Sequence, residues 1–222
     1  MKKTALIIPV YNEPGFETLY ERLTSVSNDF DIVIIDDGSD VPVSRLLKNG
    51  IGTNTTIYRN EFNLGKGASI KRAIKVLVEM NYAGPAIIMD GDGQHAIEDL
   101  HLFKEAVKDH PFVIGRRQFS SDIMPLPRIF SNYVSSKLLG LKLGAPIYDS
   151  QCGFRALQPN LFPVLLECRE NGFQFETEMI IRIHKAGIVP YYVPIRTIYN
   201  NSRSHINKLQ DIISFLKIYF SF

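Results

Sequence analysis

The chain has 222 residues, a formal charge of +2, and 45% hydrophobic against 22% charged residues. That length suits one domain with a full core, and a charge so near neutral excludes nucleic acid as a partner held by a broad basic field. The two cysteines, Cys152 and Cys168, stand far apart and make neither a CxxC metal pair nor a disulfide framework, the usage of a reducing cytoplasm.

Met1 to Pro9 starts with two lysines but holds too few apolar residues before its proline for a signal peptide, and it reads as a first strand over Ala5 to Pro9. Further β-branched runs follow at Asp31 to Ile35, Thr55 to Tyr58 and Ala86 to Met89. Helical periodicity separates them at Phe16 to Val26, Pro42 to Lys48 and Ala68 to Met80. A helix over Ile97 to Lys108 leads to a strand at Phe112 to Gly115. Arg116 to Pro127 has no periodicity and reads as a lid-like loop, and helical spacing resumes from Arg128 to Leu139. The last regular elements are a helix over Glu176 to Lys185, a strand over Ile188 to Val193 and an apolar helix from Leu209 to Phe222. This βαβα order predicts an α/β fold with a mainly parallel, Rossmann-like sheet flanked by helices on both faces and ligands at the carboxyl ends of the strands.

No stretch holds the run of about 20 apolar residues that a spanning helix needs. Residues 1–207 read as one domain, and residues 208–222 as an apolar helix that docks on the domain's own core, on another subunit or membrane protein, or on a bilayer surface.

Chemistry concentrates where strands end. Asp36-Asp37-Gly38-Ser39 places carboxylates after the second strand, and Asp37 is suited to accept hydrogen bonds from a ribose or base. Asp40 reads as a helix cap. Asp90 and Asp92, two apart after a buried strand, project to one side and can share a hard cation such as Mg²⁺ or Mn²⁺, with Gln94 as a neutral oxygen ligand and phosphate oxygens completing the shell. Asn63-Leu64-Gly65-Lys66-Gly67-Ala68 opens a helix, so its amides and Lys66 can meet phosphate. It has neither P-loop spacing nor a third glycine, and tight packing explains Gly65 and Gly67 equally well.

These motifs, together with Ile8-Pro9-Val10-Tyr11-Asn12-Glu13, Asp149 to Arg155 and Phe175-Glu176-Thr177-Glu178-Met179, resemble the family 2 glycosyltransferases of GT-A fold over nearly the whole chain, especially the branch that charges polyprenyl or dolichyl phosphate with a sugar. The resemblance implies that Pro9, Tyr11 and Glu13 line the nucleotide pocket, Asp37 holds the nucleoside, and Asp90, Asp92 and Gln94 hold the metal diphosphate. Arg116, Arg128 and Ser131 match positions that receive an acceptor phosphate, with the choice between Arg116 and Arg117 open. Arg155 is placed to reach the diphosphate. Glu178 matches an acidic position that contacts sugar or acts as base, and Asp149 is a second base candidate. Cys152 reads as a small buried residue, and His205 beside Arg203 as a phosphate contact or a structural histidine.

The expected reaction is an inverting, in-line displacement on a UDP- or GDP-sugar. A lipid phosphate needs positioning alone, whereas an alcohol acceptor needs Asp149 or Glu178 to take its proton. A peripheral enzyme at the inner face of the membrane follows from the lipid reading. The alternatives are transfer to a sugar hydroxyl in polysaccharide synthesis, with the tail as an oligomer contact, or a non-catalytic nucleotide-sugar binding module. A nucleotidyltransferase would want a basic glycine-rich turn after the first strand, where Tyr11-Asn12-Glu13-Pro14 stands.

Overall fold

The computed structural model describes residues 3–118, 126–198 and 208–222, without the side chains of residues 27, 126–128 and 208–213. Seven strands form one sheet: β1 (Thr4–Val10), β2 (Phe30–Asp36), β3 (Thr55–Arg59), β4 (Ala86–Ile88), β5 (Phe112–Arg117), β6 (Arg155–Leu157) and β7 (Tyr191–Ile195). Their order across the sheet is β3-β2-β1-β4-β6-β5-β7. Every pairing is parallel except the two made by β6, which runs against β4 and β5.

The helices are α1 (Phe16–Thr24), α2 (Val43–Leu46), α3 (Lys66–Glu79), α4 (Leu100–Asp109), α5 (Leu126–Leu143), α6 (Phe162–Leu166), α7 (Phe175–Lys185) and α8 (Lys208–Ser221). Ala5 to Ile8, Ile32 to Ile35 and Ala86 to Ile88 are buried without a break. Alternate side chains point to opposite faces of a strand, so unbroken burial means that helices cover both faces of the sheet. β3 alternates partly buried with exposed residues, as an edge strand does.

Two strands, and the short helix α6, differ from the sequence reading. Arg155–Leu157 is a strand where only a turn was expected, because three residues are too few to show a period. β7 begins at Tyr191 and carries Pro194, which an edge strand tolerates because its unpaired side needs no N–H. The reversed strand has a functional consequence. Since β6 enters the sheet at the edge where β1, β2, β4 and β5 leave it, the turn before it, 149–154, arrives beside the residues that follow those strands.

Helix α8 lies against α7. Ile218 is buried, the Lys142 and Tyr219 side chains stack at 4.7 Å, and the rings and carbonyl of Phe222 meet Arg182 and Lys185. Leu216 and Phe220 on its other side stay exposed. Among the described residues no helix is long and apolar enough to cross a membrane.

Candidate active site

The turn after β1 is anchored before it can present anything. Asn12, at φ 51°, donates its N–H to Ser39 Oγ at 3.1 Å and accepts from the Asp40 N–H at 2.8 Å. This contact, and not a helix cap, is what Asp40 does. Asp36 supplies the cap: its carboxylate accepts from the N–H groups of Ser39 and Val43 and from the Arg59 guanidinium. Burial alone would raise the Asp36 pKa, but these donors outweigh it and hold the group below its usual value.

Asp37 is buried and committed. Its carboxylate accepts from Asn60 Nδ2 at 2.6 Å, Leu64 N at 3.0 Å and Gly65 N at 2.9 Å. It therefore builds the loop that leads into α3, with two donors on Oδ1 and one on Oδ2. Gly65 sits at φ 97°, ψ 156°, a region only glycine enters readily, and a Cβ there would lie 2.5 Å from the Asn171 carbonyl oxygen. The loop is thus clamped to the segment before α7, and Ala68 N also donates to that carbonyl.

The clamp delivers Lys66 to the centre of the site. Its Nζ lies 2.5 Å from Asp90 Oδ1 and 2.5 Å from Glu176 Oε1. His95, buried and tilted against Phe154, reaches the other oxygen of Asp90 at 3.5 Å. Gly153 comes so close that a Cβ on it would be 2.4 Å from Asp90 Oδ2 and 2.7 Å from Lys66 Nζ. Burial opposes both charges of the pair, yet their mutual attraction wins: Lys66 is held well above, and Asp90 well below, the ordinary values.

Asp92 and Glu13 share the same small region and respond the other way. Burial and the charge on Asp90 raise Asp92, while burial, then Asp92 and Asp90, push Glu13 up to about 7. Four acids, Glu13, Asp90, Asp92 and Glu176, crowded about one lysine leave an excess of negative charge, the electrostatic condition for a bound cation. Asp90 Oδ1 is the one buried carboxylate oxygen among the described residues with no hydrogen-bond donor; its contact with Lys66 is ionic. Among the described residues no group of three His, Cys, Asp or Glu is assembled to hold a metal. What the crowded acids and the orphaned Asp90 oxygen fit is a hard divalent ion on the carboxylates of Asp90 and Asp92, with oxygens of a bound ligand for the remaining positions. Gln94 is tied through its backbone, its N–H to Asp92 Oδ1 and its carbonyl to Ile198 N. Pro9 is partly buried and Tyr11 is 38% exposed at the same edge of the sheet.

Three further residues take other places than the sequence reading gave them. Arg155 is 1% exposed, and its guanidinium donates to the carbonyls of Cys152, Glu176 and Ser150 at 2.7–2.9 Å, so it ties the 149–153 turn to α7 and cannot reach a diphosphate. Glu178 is equally buried. Its carboxylate accepts from the N–H groups of Arg169 and Glu170 and from Arg182, and these overcome burial to keep its pKa low. Glu176, one helical half-turn away, is the acid of that motif that faces the site. Asp149 is fully buried and grips Arg117 at 2.8 Å through both carboxylate oxygens, with Asn132 Nδ2 at 3.0 Å. Neither Asp149 nor Glu178 is open to take a proton from an acceptor. Cys152 is buried, its thiol pushed up to about 12 by burial and Asp149, and carries no chemistry.

Arg117 turns inward to Asp149, while Arg116 is exposed and stacks 4.4 Å over the Tyr148 ring. Both line a groove of about 1420 Å³ together with Phe130, Tyr133, Lys137, Leu141, Ile147 and Tyr148; among the described residues its lining has three cationic side chains and no acid. Ser131 is exposed and does not line it. The side chain of Arg128, and Arg203 with His205, lie outside the described residues.

These features are those of a glycosyltransferase built on the GT-A fold. The chain belongs to Glycosyl transferase family 2, matching the family over residues 5–162. It is 30% identical to the UDP-N-acetylglucosamine–dolichyl-phosphate N-acetylglucosaminyltransferase of Methanococcus voltae over 87% of this chain and 85% of that protein. The undecaprenyl-phosphate mannosyltransferase of Micrococcus luteus is 28% identical over 85% of this chain and 81% of its own. Glucosyl-3-phosphoglycerate synthase from Mycobacterium tuberculosis, crystallised with Mn²⁺, UDP-glucose and phosphoglyceric acid, superposes with a TM-score of 0.67 at 12% identity, over 99% of this chain and 79% of that one.

Proposed function

We propose that this chain is an inverting, divalent-metal-dependent glycosyltransferase that moves a sugar from a UDP- or GDP-sugar to a polyprenyl phosphate at a membrane surface. One juxtaposition carries the reading. A crowded acidic site with an orphaned carboxylate oxygen on Asp90 is joined, through the 149–153 turn, to an apolar groove whose described lining carries cationic side chains and no acid. The first suits a metal diphosphate; the second suits an amphiphile with an anionic head and an apolar tail.

Asp90 and Asp92 would hold Mg²⁺ or Mn²⁺, with Gln94 beside them, and the ion would supply charge neutralisation for the leaving diphosphate. Pro9, Tyr11 and Glu13 edge the nucleotide side. Lys66 and Glu176 meet beside Asp90, where the sugar and the diphosphate must pass. Arg116 and Lys137 would hold the acceptor phosphate, with Arg117 kept in place by Asp149; Arg128 stays a candidate. The commitment of both Asp149 and Glu178 favours this acceptor over an alcohol, because a phosphate is ionised near neutral pH and needs orientation alone. The dolichyl-phosphate and undecaprenyl-phosphate acceptors of the Methanococcus voltae and Micrococcus luteus relatives agree with a lipid phosphate. Exposed Phe130, Tyr133 and Leu141 on α5 and Phe220 on α8 would meet the bilayer interface, which makes residues 208–222 a docked accessory to the 1–207 domain and the protein peripheral at the inner face.

The test is a transfer assay with UDP- and GDP-sugars, Mn²⁺ or Mg²⁺, and undecaprenyl phosphate against water and sugar hydroxyls. Asp92→Ala is expected to abolish transfer, and Arg116→Met to raise the KM for undecaprenyl phosphate while sparing donor binding. Transfer to a hydroxyl in preference to the lipid phosphate would refute the acceptor assignment.

A further inference from the structure

Lys66 stands between two carboxylates at equal distance but not on equal terms. Its Nζ donates a hydrogen bond to Glu176 Oε1, whereas the 2.5 Å contact with Asp90 Oδ1 lacks hydrogen-bond geometry, leaving that oxygen without a donor. The first contact anchors the ammonium; the second can be given up without breaking a hydrogen bond. The base of the side chain is fixed, since Lys66 opens α3 just after Gly65 and the loop is held by Asp37 and Asn171. Its tip is free of side chains on one flank, where Gly153 approaches. A divalent ion on Asp90 would sit within about 4 Å of the Lys66 ammonium, a like-charge contact in a buried site that is relieved when the ammonium withdraws.

We propose that Lys66 is an exchangeable counter-ion of the donor site: it competes with the divalent cation for Asp90 and, pivoting on Glu176, transfers its charge to the entering diphosphate. Cation and diphosphate then bind cooperatively, because the anion draws Lys66 off the oxygen that the cation needs. Such a device disfavours capture of a bare cation and reserves Asp90 for the ion that arrives with a nucleoside diphosphate. This rests on the metal-and-donor reading above, with Lys66 as a positioning residue whose effect is on binding linkage.

The experiment is calorimetric titration of the full chain with Mn²⁺ alone, with UDP or GDP alone, and with each in the presence of the other. The parent is expected to bind Mn²⁺ at least about tenfold more tightly when nucleoside diphosphate is present, within the usual range of coupling between sites. Lys66→Met should bind Mn²⁺ alone about tenfold more tightly than the parent, bind the nucleotide alone more weakly, and show a coupling factor reduced about tenfold, the remainder coming from diphosphate oxygens on the ion itself. The decisive readout is the coupling factor, because a simple change of local charge alters each separate affinity but not their interdependence. Lys66→Gln, which keeps a polar contact with Glu176, carries the same expectation if the methionine variant does not fold. An unchanged coupling factor in both variants overturns the inference alone. Failure of Mn²⁺ to bind the parent with either nucleotide refutes the metal reading, and this inference with it.

Discussion

Gly153→Ala separates the site from the fold that carries it. The added methyl would lie 2.4 and 2.7 Å from the two Asp90 oxygens and 2.7 Å from Lys66 Nζ. A carbon-to-oxygen contact needs about 3.3 Å, so each partner must retreat by roughly 0.6–0.9 Å. All three atoms are side-chain ends, so the retreat costs rotamer strain and no backbone shift, about 1–3 kcal/mol in total. In a chain of 222 residues that is a fall in melting temperature of about 3–10 °C. Binding of Mn²⁺–UDP or Mn²⁺–GDP, by contrast, should drop at least about tenfold, because the methyl occupies the space beside Asp90. Gly65→Ala is the control: there the neighbour is the backbone carbonyl of Asn171 and the conformation excludes a side chain, so stability should suffer more than binding in whatever protein folds. Differential scanning calorimetry and nucleotide titration on both variants decide it. If Gly153→Ala binds metal nucleotide as the parent does, the Lys66–Asp90 contact is not the donor site.

Arg117→Met leaves Asp149 buried with Asn132 and a backbone N–H as its remaining donors, and should cost about 3–5 kcal/mol in denaturant unfolding; adding Asp149→Asn should recover part of the loss. Arg155→Lys strips a three-carbonyl clamp and is expected to lower stability by about 2–5 kcal/mol while the folded fraction keeps its affinity for nucleotide; a specific loss of diphosphate affinity would restore the contact that its burial denies. Stability should also depend on pH from two directions. Asp36 and Glu178 have folded pKa values below their reference values of 3.8 and 4.5, so their contribution is present above those values and lost as pH falls through the folded ones; Asp36→Asn should flatten the acid limb of a melting-temperature profile. Glu13 runs the other way. Its pKa rises from 4.5 to about 7, so stability without added metal should decline as pH climbs across that interval, and Glu13→Gln should remove the decline.

Much of this protein was legible in its residues. Apolar runs such as Ala5 to Ile8 and Ile32 to Ile35, separated by helical periods, dictate a parallel sheet covered on both faces, because strands buried on both sides have no polar alternation to show. The acids at strand ends follow from the same rule, since a parallel sheet gathers its carboxyl ends at one edge. That rule places Asp90 and Asp92 at the ligand edge, and the family resemblance adds Glu13. What spacing cannot express is which way a side chain turns once three-dimensional neighbours compete for it. Adjacent Arg116 and Arg117 are equivalent as sequence, and only the buried Asp149, 32 positions away, draws Arg117 inward and leaves Arg116 on Tyr148. Glu176 and Glu178 sit in one motif, yet a helical rotation of two residues sends Glu176 to Lys66 and Glu178 to the backbone of Arg169 and Glu170. Arg155 carries a charge that suggests a ligand, but a buried charge must be satisfied, and nearby carbonyls claimed it first. The sequence by itself therefore determined the sheet, its ligand edge and the acidic character of the site. The tertiary structure alone decided which charged groups remain available there, because that depends on hydrogen bonds closed between segments up to 110 residues apart.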